Sequence, residues 1–306
     1  MIAKAWKTWI GRARSGWRGA VPHCQEPDCT FLRRTWRRIR WWHGRIRLHG
    51  CGYCAPQCFE HAARQSFVRA GRTAAFPQPI RHRIPLGLLM LSRGQLTNHQ
   101  LRSALEAQQA SGRYRLGEWL EKLGFATEQQ VTAALGVQWA CPVLPRRFAG
   151  DAGCARLLPF RLLESFRMLP VEFVPATRLF YIAFCDGIDY AALYAIEQML
   201  DCRTEACIIG RSVLDQAIER LGHERRGGEL LFESWRDAAE MARITCSYVL
   251  KLGAEDVRIV GCGNYVWVSM QAGRDVQHLL FRRPRPALEA ELCLPIDQPP
   301  ARQSAG

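Results

Sequence analysis

Lysine is almost missing from this chain: only four of its 42 basic residues are lysines, at positions 4, 7, 122 and 251, and no Gly-Lys pair occurs anywhere. A phosphate-cradling P-loop needs GxxxxGK followed by Ser or Thr, with the lysine reaching the outer phosphates, so nucleotide hydrolysis by that motif is excluded. Long apolar runs are missing too. None approaches the roughly 20 residues that span a bilayer, and the N-terminus has no hydrophobic signal core, so a cytoplasmic bacterial protein is expected. No nucleophile stands beside a credible base: most of the eight histidines sit in the basic N-terminal region, and Asp186, Asp189 and Glu197 read as loop and helix-surface carboxylates. A non-catalytic protein is expected.

What is present is a repeat. PLGLLMLSRGQLTNHQLRSALEAQ, starting at Pro85, and RLGEWLEKLGFATEQQVTAALGVQ, starting at Arg115, are two copies of one 24-residue pattern. They share Leu86-Gly87 with Leu116-Gly117, Gly94 with Gly124, Thr97 with Thr127, Ala104-Leu105 with Ala134-Leu135, and a closing Gln108 with Gln138. Each copy predicts a short helix, a glycine stop in the left-handed conformation and a longer helix. Thr97 and Thr127 stand three residues before Gln100 and Gln130, the spacing of a capping box. Leu101, Ala104 and Leu105, with Val131, Ala134, Leu135 and Val137 in the second copy, fall at helical intervals and predict one buried face per copy.

The pair resembles the MshEN-type N-terminal domain of the ATPases that drive type II secretion and type IV pilus assembly, which carries two tandem RLGxxL…G…LxxxLxxQ motifs and in many members binds cyclic di-GMP. The likeness continues through an α/β segment from Ala155 to Leu221. It implies a ligand site at Arg115, Leu116, Gly117, Leu120, Gly124 and Gln138, with Leu86, Gly87, Gly94 and Gln108 from the first copy. Chemistry fits: glycine lets a phosphate approach the backbone near a helix start, arginine reads the O6 and N7 edge of guanine, and Leu116 and Leu120 offer apolar contact to bases. The first copy departs where the family has arginine, with Pro85 in its place and Arg83 two residues earlier. The plainer reading is that Leu, Gly, Thr and Gln only specify a helical bundle.

Cysteine is crowded at one end. Cys24, Cys29, Cys51, Cys54 and Cys58, with His61 beyond, occupy 38 of the 306 residues. CxxxxC and CxxxC spacing brings thiolates together as structural zinc sites require, and the order strand, turn, helix start resembles a treble-clef zinc finger. Cys24, Cys29, Cys54 and Cys58 are the expected ligands, with Cys51 in the turn and His61 in reserve; a disulfide framework is the alternative for an exported module.

Charge is equally uneven. Residues 1–84 hold 17 Lys or Arg against three Asp or Glu, a balance of +14 that equals the net charge of the whole chain. Six of the ten tryptophans lie in the first 50 residues. Such a region suits a protein partner, an anionic membrane surface, or nucleic acid, the last through a cluster such as Arg33, Arg34, Arg37 and Arg38. The arginine bias also matches G/C-rich coding.

The expected fold is α+β in modules: a basic extension (1–20), a zinc-binding module (21–75), a Pro-containing linker (76–84), the tandem motifs (85–142), an α/β subdomain (143–225), a helix with a short antiparallel sheet (226–288) and a disordered tail (289–306). In the sixth, residues 235–253 predict an amphipathic helix ending at Gly253, followed by strands over 256–261, 265–270 and 278–282. Lys251 to Val260 resembles the entry to the sheet before the motor core of secretion ATPases, so the chain is expected to stop where that motor would begin. Two functions follow: a sensor or adaptor related to secretion or pilus machinery, or a basic zinc-finger protein acting on nucleic acid with the repeats as scaffold.

Overall fold

The computed structural model describes residues 24–27, 29, 46–72, 83–112, 114–146, 148, 152–224, 228–273 and 275–283. The basic extension, the Arg33 to Arg38 cluster and the tail lie outside the described residues. The fold is α+β, as expected.

The cysteine-rich segment forms strands β1 (Ile46–Leu48) and β2 (Cys51–Tyr53) and helix α1 (Pro56–Arg72). The turn between the strands runs through His49 and Gly50, both at positive φ. The tandem motifs follow as α2 (Leu86–Ser92), α3 (Asn98–Ser111), α4 (Leu116–Lys122) and α5 (Glu128–Trp139). After a short α6 (Ala152–Ala155) come α7 (Phe160–Phe166), β3 (Met168–Val174), β4 (Leu179–Phe184), α8 (Tyr190–Leu200), β5 (Arg203–Ile208) and α9 (Arg211–Glu224). The chain then forms β6 (Glu229–Phe232), α10 (Ala238–Leu252), β7 (Asp256–Cys262), β8 (Tyr265–Ala272) and β9 (Asp275–Arg282).

Two sheets result. The smaller has order β3-β4-β5: β3 and β4 are antiparallel with a register shift between Pro170 and Glu172, where proline supplies no N–H, and β4 runs parallel to β5 through the α8 crossover. The larger has order β2-β1-β7-β8-β9-β6. Its centre is the antiparallel meander β7-β8-β9, with Ile259 opposite Val268 and Trp267 opposite Leu280. β1 and β6 join the meander in parallel, Leu48 of β1 pairing with Val257 of β7 and β6 with β9, and β2 pairs antiparallel with β1 at the edge.

This changes the expected organisation. The cysteine-rich segment and the C-terminal helix and sheet, read as separate modules, share one six-stranded mixed sheet and one core. Leu48, Phe59 and Phe67 pack with Met241, Val249, Val268 and Phe281 on one face. The opposite face supplies Val260, Cys262, Trp267 and Leu280 to a second core, built with Met90, Leu120 and Ala134 of the motif helices and Phe180, Phe184 and Ile196 of the α/β segment. Residues 83–224 are thus inserted between the two parts of that sheet. Hydrogen bonds tie the layers: the Arg258 guanidinium donates to the Met199 carbonyl at 3.1 Å, and the Glu229 carboxylate accepts from the Phe160 N–H at 2.6 Å. No described helix is long and apolar enough to cross a membrane.

Candidate functional site

The two motif copies fold alike: α2 and α4 span equivalent residues, and α3 and α5 start at equivalent ones. Thr97 Oγ1 accepts from the Gln100 N–H at 3.2 Å while the Gln100 side chain accepts from the Thr97 N–H at 2.9 Å; Thr127 and Gln130 repeat this at 3.3 and 2.8 Å. Both expected capping boxes are therefore formed. Gly94 and Gly124 take φ of +68° and +69° in exposed turns, as the left-handed helix stop requires. They end helices and do not line the cleft described below. Gly87 and Gly117 are buried at the crossings of α2 with α3 and of α4 with α5. A Cβ at Gly87 would lie 2.5 Å from Leu101 Cδ1, and one at Gly117 would lie 2.8 Å from Val131 Cγ1. Leu101 and Val131 are equivalent positions of the repeat, so close helix packing, beyond any phosphate approach, explains both glycines.

The closing glutamines connect the copies crosswise. Gln108 Nε2 donates to the Tyr114 carbonyl at 3.2 Å, and Gln138 Nε2 donates to the Ile84 carbonyl at 2.8 Å. Tyr114 and Ile84 are the residues just before the two copies. Each copy thus fastens the entrance of the other, which gives the pair a reciprocal, two-fold arrangement.

Arg115 stands exposed at the start of α4, and its Nη1 donates to the Asp186 carbonyl at 2.6 Å. Below it lies a cleft of about 180 Å³ that brings together Arg115, Leu116, Gly117, Gln138 and Leu86 of the predicted residues. Leu120 does not join them. Its side chain is fully buried in the core, out of reach of any base, so its place in the motif is a packing role. Leu105 and Val137, expected on the buried faces, are 39% and 48% exposed.

The cleft has members that the motif did not mark: Glu118, Glu121, Glu128, Asp186 and Arg211. Arg211 of α9 pairs with Glu118 at 2.8 Å and Asp186 at 2.5 Å, and Glu128 accepts from the Ser212 N–H at 2.7 Å. Burial, helped by the carboxylates of Glu128, Glu118 and Asp186 and opposed by Arg211, holds the Glu121 carboxyl above its ordinary range. Asp186 and Arg211 belong to the α/β segment, and nothing in the local sequence announces that they turn toward the motifs. An arginine-rimmed, carboxylate-lined cleft of this size is smaller than the pocket of a drug-sized ligand.

The second cluster is sulfur. The thiols of Cys24, Cys29, Cys54 and Cys58 all lie within 4.8 Å of one another, with Cys29 and Cys54 at 3.3 Å and Cys54 and Cys58 at 3.9 Å. Four sulfurs at about 2.3 Å from a tetrahedral ion stand roughly 3.8 Å apart, so this set fits a metal ion. Cys24 and Cys29 precede β1 outside any described helix or strand, Cys54 directly follows β2, and Cys58 sits in the first turn of α1. Burial and the crowding of neighbouring thiols raise the Cys54 pKa and push that of Cys58 up to about 12. A coordinated cation reverses that preference by favouring thiolates. Cys51 is exposed and outside the group, and His61 Nδ1 lies 2.8 Å from Glu26 Oε1 instead.

No family model matches the chain, and no curated protein matches it. Solved structures do. A structure of MshE with cdg is 32% identical, covering 45% of this chain and 99% of its own, with a TM-score of 0.40. Two crystal forms of the N-terminal domain of XpsE are 22% and 24% identical, covering 44% and 43% of this chain and 92% and 90% of theirs, with TM-scores of 0.35 and 0.29. The reciprocal pair of 24-residue units defines a tandem-motif domain. Identity of 32% across almost the whole of the MshE chain carries the assignment further: over just under half its length, this chain belongs to the MshEN-type N-terminal domain family.

Proposed function

We propose that this protein is a non-catalytic, cytoplasmic regulatory or adaptor protein whose MshEN-type domain binds cyclic di-GMP. The observation that carries the reading is the crosswise-linked pair of motif copies with Arg115 at its rim, in a chain 32% identical to a protein solved with cdg. The cleft chemistry supports it. Arg115 can donate to O6 and N7 of a guanine while a cleft carboxylate accepts from the base's N–H groups, and the exposed rim leaves room for the anionic phosphates. The lack of a Gly-Lys pair supports a role without ATP hydrolysis.

In the same reading, Cys24, Cys29, Cys54 and Cys58 hold a structural zinc ion, the metal that four thiolates in tetrahedral array favour. A protein partner of secretion or pilus machinery completes it. The test is retention of labelled cyclic di-GMP by the purified chain. Retention displaced by unlabelled cyclic di-GMP but not by GTP, and lost in Arg115→Ala, supports the reading; no retention overturns it. A second reading, nucleic-acid or anionic-membrane binding through the basic N-terminal region, draws on the +14 balance of residues 1–84. Salt-sensitive DNA binding abolished by replacing Arg33, Arg34, Arg37 and Arg38 would favour the nucleic-acid reading.

A further inference from the structure

Pro85 leaves the first copy without the arginine that the second has in Arg115, yet a different guanidinium lies at the same seam. Gln138 closes the second copy on the Ile84 carbonyl at 2.8 Å, so the next residue, Trp139, lies against the segment that leads into the first copy. Arg83 stacks on Trp139, its guanidinium carbon 3.4 Å from the ring centre, and its Nη2 donates to Tyr190 Oη at 3.2 Å. Trp139 and Tyr190 are themselves in ring contact at 6.3 Å. The indole Nε1 is buried with no hydrogen-bond partner among the described residues, although a buried indole N–H normally finds one. Gly187, at φ +144°, makes the approach possible. A Cβ there would lie 2.8 Å from Trp139 Cζ2 and 3.4 Å from Arg115 Nη1. One glycine therefore touches both the indole that carries Arg83 and the guanidinium of Arg115.

We propose that Arg83, braced on Trp139, is the second base-recognising arginine of the site and serves the first copy as Arg115 serves the second. This rests on the cyclic di-GMP reading. A guanidinium lying flat on an indole is held in one plane, with its N–H donors directed outward in that plane, where they can meet the O6 and N7 edge of a guanine. Arg115 is braced by a different device, the bond to the Asp186 carbonyl. Two fixed arginines suit the two guanines of one cyclic dinucleotide. The stretch Arg83-Ile84-Pro85 matches Arg113-Tyr114-Arg115 in the repeat, so Arg83 occupies a position where the second copy also carries arginine.

The test is calorimetric titration of cyclic di-GMP into the full chain, comparing the natural protein with Arg83→Ala, Arg115→Ala and the double variant Arg83→Ala/Pro85→Arg, with thermal melts as the check on folding. Arg83→Ala should weaken binding about tenfold or more without lowering the melting temperature, and Pro85→Arg should restore most of the loss. Restoration is a readout that a merely structural arginine would not give. If Arg83→Ala binds like the natural chain while Arg115→Ala does not, the proposal is overturned and the cyclic di-GMP reading stands. If the natural chain takes up no dinucleotide, both fall. Should Arg83→Ala fail to fold, Arg83→Lys keeps the charge but loses the planar fork; weakened binding supports the proposal and unchanged affinity overturns it.

Discussion

Gly87 and Gly117 are where the repeat is least forgiving, because Leu101 and Val131 occupy the space a larger residue would need. Gly117→Ala must push Val131 aside and is expected to lower stability by about 1–3 kcal/mol, read from denaturant midpoints at constant slope. An unchanged midpoint would mean the helices separate without cost. Glu121 makes a pH-dependent prediction. Its carboxyl is held above the ordinary value of 4.5, so the fold favours the protonated form. The stability this contributes is present below about pH 4.5 and is lost as pH rises through the folded value. Glu121→Gln should therefore raise the melting temperature near neutral pH and give little gain near pH 4; the opposite pattern contradicts the assignment. At this scale the sequence was only partly legible. Val131 and Val137 both fit the helical period, yet one is core and the other surface, because the repeat does not say which neighbour covers each face.

The elements were more legible than the residues within them. Thr97 and Thr127 announced their capping boxes by spacing alone, and Asp237 and Gly253 bound α10 at its two ends, with Asp237 accepting from the Glu240 N–H at 2.8 Å and Gly253 at φ +63°. Such signals are local, so no tertiary knowledge is needed to read them. Replacing Thr97 or Thr127 by Ala should cost about 1 kcal/mol each, and the double variant about the sum, since the caps belong to separate helices and share no partner. A loss well above the sum would show that the copies fold as one inseparable unit. What stayed hidden was the parallel pairing of β1 with β7, between segments about 200 residues apart, together with the convergence of Asp186 and Arg211 on the motifs. Strand pairing at that separation leaves no trace in periodicity, and three-residue strands such as β1 and β2 carry little pattern at all.

For the molecule as a whole, a metal held by the four cysteines would make metal and sheet depend on one another. The sulfur cluster fastens β1, β2 and α1, and these complete the sheet of the C-terminal meander and cover one of its faces. A structural metal supplies folding free energy on the order of 10 kcal/mol in small modules. Elemental analysis should find one zinc per chain. Chelation should then raise hydrogen exchange in β1 and β2 and also in β7, which loses its neighbour, while α3 and α5 in the inserted domain stay protected. Exchange confined to the cysteine-rich segment would contradict the shared core. Cys24→Ser or Cys58→Ser should reproduce the chelated state without chelator.

The central claim is that the tandem-motif domain binds a cyclic dinucleotide, and its most direct test is the stoichiometry and affinity of cyclic di-GMP measured by calorimetry on the full, zinc-loaded chain, with Arg115→Ala beside it. The expected result is saturable binding of one dinucleotide per chain that disappears with Arg115. Absence of heat at protein concentrations well above micromolar, with an intact melt, would contradict it and leave the crosswise motif pair as a scaffold for protein partners.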